Sequence, residues 1–237
     1  MTDMPFSIGS RMDKPAPHHQ SIEALWETLW KKQCSLGAHP FFDSELDDFE
    51  QVFSDLTDSD LRPPYDFDTY ATAFFPVAEA LESQALAARE ANDKPKASSL
   101  YLRAAALYRI ARFPMPRSPK QKEAWARNKI AFMNGASLLP VPYHEVQIPH
   151  KYGIASEGRT ILIYMRVPAH ASAASPVPCV IQIFGLDDRG TELTHYADPH
   201  LARGWATIGV EIPGAGDCPA LANDPSAPDR LWTSLLD

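Results

Sequence analysis

IQIFGLDDRG, residues 181–190, runs apolar as far as Phe184, stops on Gly185, and then presents two carboxylates and an arginine. A hairpin would carry Asn-Gly or Asp-Gly at its turn, with an alternating strand directly behind it. The next strand-like run instead begins at Trp205, which leaves room for a helix. Strand, loop, helix, strand is the order of a parallel pair with a right-handed crossover. Loops at the carboxyl ends of parallel strands are where such sheets bind ligands. The segment after Phe184 is therefore a candidate site.

Working outward, PVPCVIQIF (176–184) is nearly all apolar, as a strand buried on both faces should be, and WATIGVEI (205–212) reads the same way. ELTHYADPHLARG (192–204) supplies the loop and helix between them. Upstream, YHEVQIPH (143–150) and TILIYMRVP (160–168) have period two, the second placing Ile161, Ile163, Met165 and Val167 on one face. PDRLWTSLLD (228–237) starts a helix at Pro228 with the stripe Leu231, Trp232, Leu235 and Leu236. No strand follows for that stripe to cover. Residues 140–237 thus read as the first part of a larger α/β domain, truncated at Asp237.

Residues 20–139 have a helical rhythm. SIEALWETLWKK (21–32) opens on Ser21 as N-cap and puts Ile22, Leu25, Trp26, Leu29 and Trp30 on one face. SELDDFEQVFSDL (44–56) has the stripe Leu46, Phe49, Val52, Phe53 and Leu56. A helical stretch from Asp68 to Asp93 is kinked or delimited by Pro76. KASSLYLRAAALYRIARF (96–113) is periodic in Leu100, Ala104, Leu107, Tyr108 and Ala111. A last helix begins at Ser118-Pro119, in the cap and first-turn positions.

With 45% apolar and 22% charged residues, the 237-residue chain has the composition of a globular protein with a core. A formal charge of −8 argues against nucleic acid or an anionic membrane as partner. No run approaches the length of a membrane span, and the stretch 1–14 lacks the apolar core of a signal peptide. Three scattered cysteines suit a reducing compartment better than a disulfide framework. The expectation is a cytoplasmic protein.

Three apparent motifs have plainer readings. PGAGDCP (213–219) lacks the third glycine of a dinucleotide fingerprint and places Pro219 where a helix would pack, so it reads as a tight turn after a strand. DSELDDFE (43–50) has Asp48 where a calcium loop needs glycine, and reads as an acidic helix start. The eight histidines show no ligand spacing, so no metal is expected. In FGLDDRG, Gly185 is expected to let the chain turn sharply so that the Leu186 N–H points into a pocket. Asp187, Asp188 and Arg189 either contact substrate or brace the loop.

LARGWATIGVEIPGAGDCPA (201–220) and SAPDRLWTSLLD (226–237) resemble the fungal polyketide-shortening hydrolases of melanin and conidial pigment pathways. LWETLWKKQCSLGAHPFFDSELDDFEQVF (25–53) and RAAALYRIARFP (103–114) resemble the amino-terminal helical part of the same enzymes. The pattern is more distantly similar to the esterase FrsA-like group and to 2,6-dihydroxypseudooxynicotine hydrolase. The resemblance implies an α/β-hydrolase core (140–237, its first four strands, ending before the nucleophile) preceded by a helical cap (1–139). It implies cleavage of a carbon–carbon bond in a heptaketide naphthopyrone to give a tetrahydroxynaphthalene, by a serine, an acid and a histidine. No metal or organic cofactor is implied. The partner is a small-molecule polyketide, and a homodimer is left open.

G-x-S-x-G is absent from the 237 residues, so the resemblance supplies only part of a site. It assigns Leu186 as a backbone oxyanion donor within the loop Gly185-Leu186-Asp187. It assigns Tyr108, Arg112 and Phe113 to substrate, with helix packing the stronger reading for Tyr108. An ester or lactone hydrolase of the same fold, and a non-catalytic product without the triad, are the alternatives.

Overall fold

The structure is a computed structural model that describes residues 18, 20–59, 61–192 and 194–237. The stretch 1–14 lies outside the described residues, as does Leu193. Ser21 caps α1 (Ile22–Leu25), its hydroxyl accepting from the Ala24 N–H at 2.9 Å. The helix continues through a π-helical stretch (Trp26–Trp30) into α2 (Lys31–Ser35). The expected face holds, with Trp26 and Trp30 buried. Trp26 stacks on Phe53 of α3 (Leu46–Asp58), the ring centroids 4.2 Å apart.

Asp66 caps α4 (Phe67–Thr72), two residues ahead of the expected start. Pro76 opens α5 (Phe75–Glu90) instead of kinking a longer helix, because its missing N–H costs nothing in a first turn. α6 (Lys94–Arg112) buries Leu100, Ala104, Leu107, Tyr108 and Ala111, the expected stripe. α7 (Pro119–Ala136) starts on a capping box of Ser118 and Gln121. It packs closely on α6 at Gly135, whose carbonyl accepts from Ser98 at 2.8 Å. A methyl group there would meet the Ser98 carbonyl oxygen at 2.9 Å.

The sheet order is β1-β2-β4-β3, with β1 (His144–Pro149), β2 (Thr160–Arg166), β3 (Cys179–Ile183) and β4 (Ala206–Val210). β1 and β4 both pair antiparallel to β2. β3 and β4 are the expected parallel pair, Ile181 facing Ile208, with α8 (Thr194–Leu201) in the crossover. One sheet face presents Leu162 and Tyr164 to the core that the helices share, through Phe132 and Tyr143. The other presents Ile161, Ile163 and Val210 to α9 (Ala227–Leu236). The fold is α/β, with a helical layer ahead of a sheet.

Two sequence expectations are corrected. The stretch 176–184 is not buried on both faces: Ile183 is 60% and Ile181 37% exposed. β3 pairs on one side only, and among the described residues no helix covers those two side chains. The α9 stripe is not left bare. Leu231 is fully buried against Ile161, Ile163 and Val210, with Trp232 and Leu235 packed beside it; Leu236 alone is largely exposed. Full burial of a leucine of this kind stabilises by about 1.5–3 kcal/mol.

Candidate active site

The loop that follows β3 is held by arginines. Arg189 Nη1 donates to the carbonyls of Leu186 and Asp188, each at 2.7 Å. Arg112, at the end of α6, donates to the Asp187 carbonyl at 2.8 Å and pairs through its other nitrogen with Glu192. Three successive carbonyls of the loop are thereby occupied. The Leu186 N–H has no acceptor among the described residues.

Arg109, one turn earlier on α6, donates to Phe42 O at 2.7 Å and Thr191 O at 3.0 Å. Asn128 of α7 joins the same junction, giving a hydrogen bond to Ala105 O and accepting one from Thr191 at 2.6 Å. Arg109, Arg112 and Glu192 are almost wholly buried. Burial pushes the Glu192 carboxyl above its ordinary range, against the pull of Arg109 and Arg112. Burial likewise brings Arg112 down to about 10, opposed by Glu192. Charges so deep are tolerated because they are paired and hydrogen-bonded.

Glu211, just past β4, ties the neighbouring loop to this one. Its carboxylate accepts from Gly190 N at 3.2 Å and from Asp217 N at 2.5 Å. Asp217 in turn accepts from Trp125 Nε1 (3.3 Å) and Lys129 Nζ (2.6 Å) of α7. Gly214 and Gly216 adopt positive φ, as the tight-turn reading of 213–219 requires.

Beside the loop opens a cavity of about 490 Å³, walled by Trp30, Phe67, Tyr70 and Phe113, with Gln33, His39, Tyr65 and Asp187 also lining it. Of the residues singled out from sequence, Phe113 and Asp187 line this cavity together, and Arg112 supports both ends of that contact. Leu186 directs a largely exposed side chain outward, and only its backbone remains a candidate. Tyr108 lies elsewhere, fully buried against Phe75, its hydroxyl donating to Glu82 at 2.8 Å. Its place on the inward stripe of α6 accounts for that.

Gly185 does not adopt positive φ, and an added methyl would meet only the Asp188 and Asp187 carboxylates at 3.6 and 3.7 Å. The chain bends at Leu186 and Asp187, directly after Gly185, and does so without left-handed backbone at Gly185. Arg189 braces the loop rather than facing the cavity.

His39 was not found from sequence. Its Nδ1 stands 3.2 Å from Asp188 Oδ1 and 3.6 Å from Glu192 Oε2, and its Nε2 3.8 Å from Asp187 Oδ2. His39, Asp188 and Glu192 are close enough to share a metal ion. Glu192 is already matched by Arg109 and Arg112, however, so the positive charge a metal would bring is in place. The sequence signal was G-A-H-P (37–40), a histidine in a loop between aromatic runs.

The profile of the family described as Esterase FrsA-like matches residues 77–227. The chain is 28% identical over 185 residues to the hydrolase LUC6 of Fusarium sp, a match covering 76% of this chain and 42% of that protein. It is similar in structure to the 2,6-dihydroxy-pseudo-oxynicotine hydrolase, with TM-score 0.59, 20% identity, and coverage of 79% of this chain and 46% of that one. It is also similar to AbyA5, with TM-score 0.55, 20% identity, and coverage of 89% and 51%. The chain spans about half the length of these relatives. Among the described residues no helix is long and apolar enough to cross a membrane.

Proposed function

From a chain that belongs to the esterase FrsA-like family, we propose a hydrolase in which residues 1–139 form the cap and 140–237 the first part of an α/β-hydrolase core. Its substrate is an aromatic heptaketide naphthopyrone, shortened to a tetrahydroxynaphthalene for pigment. Water adds across the broken carbon–carbon bond, hydroxyl to the acyl carbon and hydrogen to the ring carbon. The observation that carries this reading is that Phe113 of the helical layer and Asp187 of the post-β3 loop line one aromatic-walled cavity. Such a cavity suits a flat, apolar ligand.

In this reading the Leu186 N–H donates to the oxyanion that forms when the carbonyl is attacked. The carbonyls of 186, 187 and 188, in the three peptide units that follow this N–H, are pinned by two guanidiniums, which holds the loop immediately after the donor. A loop held in that way reorganises little as charge develops. The nucleophile is assigned to no residue of the 237. A second reading, hydrolysis of an ester or lactone, is favoured by the family's description as esterases.

The test is an assay of the protein that carries this chain on a naphthopyrone and on p-nitrophenyl esters, with products identified by mass. Release of a four-carbon acid and a tetrahydroxynaphthalene supports the first reading. Ester turnover alone supports the second, and turnover of neither overturns both. Deleting Gly185 should lower the rate by about 10²–10³, the usual cost of losing one oxyanion donor. Near-normal turnover in the deletion variant would remove Leu186 from the site.

A further inference from the structure

We propose that His39, Asp188 and Glu192 form a binding site for a divalent transition-metal ion such as Zn²⁺, which clips the loop before α3 to the loop after β3. The three side chains offer ligand atoms that all lie within 4.8 Å of one another. Among the described residues no other three histidine, cysteine or carboxylate side chains come together in this way. His39 Nδ1 stands 3.2 Å from Asp188 Oδ1 and 3.6 Å from Glu192 Oε2. Two ligand atoms at about 2.0–2.1 Å from a tetrahedral zinc are about 3.3 Å apart. The imidazole already keeps that spacing from both carboxylates.

Asp188 Oδ1 and Glu192 Oε2 are buried, yet neither accepts a hydrogen bond from His39 or from any other group among the described residues. Buried acceptors in that state cost free energy, and one bound ion relieves two of them together. The guanidiniums do not fill this role. Arg109 and Arg112 reach Glu192 at Oε1 and match its charge from that side, leaving Oε2 free. Arg189 spends its bonds on the carbonyls of Leu186 and Asp188. Among the described residues no arginine or lysine pairs with the Asp188 carboxylate, so the charge an ion answers is that of Asp188. Ligating carboxylates are commonly hydrogen-bonded on their outer side, and Arg112 supplies that bond to Glu192.

The ligands are held without the ion. Arg109 donates to the Phe42 carbonyl at 2.7 Å, and the rings of Phe42 and Phe113 pack against His39 with centroids 5.9 and 6.2 Å away. The Glu192 N–H donates to the Arg189 carbonyl at 3.0 Å, closing the turn that spaces the two carboxylates. Three protein ligands leave the fourth position of a tetrahedral ion to water or to an occupant of the cavity that His39 lines.

The test reads metal binding and not turnover, so the hydrolase reading and this site stand or fall separately. Calorimetric titration of the full chain, stripped by chelator, with Zn²⁺ should show stoichiometric binding. His39→Gln and Asp188→Asn should each weaken it by more than about tenfold, since even an outer-shell partner is worth that much. His144→Gln, at an exposed histidine of β1, should leave the titration unchanged. Zn²⁺ should raise the melting temperature of the wild-type protein and of His144→Gln, and leave the two site variants where they were. Absence of stoichiometric binding by the wild-type chain overturns the proposal. Binding that survives both site variants, or that is lost in His144→Gln, places the ion elsewhere and overturns it as well. Should His39→Gln fail to fold, ¹⁵N resonances of the wild-type imidazoles decide: those of His39 should move as Zn²⁺ saturates the protein. His39 resonances that stay in place at saturation overturn the site.

Discussion

Arg112 reaches the main-chain carbonyl of Asp187 at 2.8 Å, across 75 positions of sequence, and the same guanidinium pairs with buried Glu192. One side chain thus fixes the last turn of α6 to the loop after β3. Replacing it strands a carboxylate. Arg112→Met should destabilise the fold by about 3–5 kcal/mol, the range for breaking a buried pair from one side. Urea denaturation measures this, and a loss below 1 kcal/mol would mean that Arg109 alone satisfies Glu192.

Phe113 and Tyr108 should part company. Phe113→Ala opens the cavity wall and should weaken binding of 2-methoxynaphthalene. Tyr108→Phe should leave binding unchanged and cost about 0.5–1.5 kcal/mol for the lost bond to Glu82. Leu107→Ala, wholly within the core, should cost about 2–5 kcal/mol. Paired melting curves and titrations distinguish the three, and weakened binding in Tyr108→Phe would return Tyr108 to the site.

Two glycines five residues apart should respond in opposite ways. A methyl on Gly190 would sit 2.1 Å from the Tyr164 ring, which is itself buried. Gly190→Ala should therefore destabilise by about 1–3 kcal/mol through overpacking. Gly185→Ala meets only ordinary contacts and should stay within about 0.5 kcal/mol of wild type. Equal melting temperatures for the two variants would contradict the packing at Tyr164.

Acid should loosen the face under α9. Arg230, donating to Glu157 at 2.7 and 3.0 Å, holds the Glu157 carboxyl down at about 2 against an ordinary value of 4.5. A depressed carboxyl contributes stability that is present above its unfolded value and lost as pH falls towards the folded one. Stability should decline from about pH 4.5 to pH 2, and Glu157→Gln should flatten that decline. Urea midpoints across this range provide the measurement; identical slopes in both proteins would exclude Glu157 as the cause.

Much of this architecture was legible because each helix carries its own period. The stripe from Leu100 to Ala111 and the caps at Ser21 and Ser118 are local facts, read from neighbours three and four residues away. The parallel pairing of 179–183 with 206–210 followed from the helix-sized gap between two apolar runs. Burial of Ile181 and Ile183 was misjudged, since a strand's composition does not say how many sides of it are paired. His39 was invisible for a related reason. Its neighbours lie at 187, 188 and 192, and the two stretches meet where Arg109 of α6 donates to both Phe42 and Thr191. The bend expected at Gly185 is there, at Leu186 and Asp187, but it uses no left-handed backbone at the glycine.

The bonds that cross between the helical layer and the sheet also limit how the two can move apart. Arg109 and Asn128 hold Thr191, Arg112 holds Asp187, and Trp125 and Lys129 hold Asp217. A lid swinging about the connection between α7 and β1 would have to break all of these at once. The outer wall of the cavity is different, being made of apolar side chains such as Ile22, Leu25 and Phe67. An exposed side chain such as Phe67 changes rotamer in picoseconds to nanoseconds, far faster than hinged domains move. In the proposed reading, a ligand enters past such side chains while the frame that carries the loop stays still.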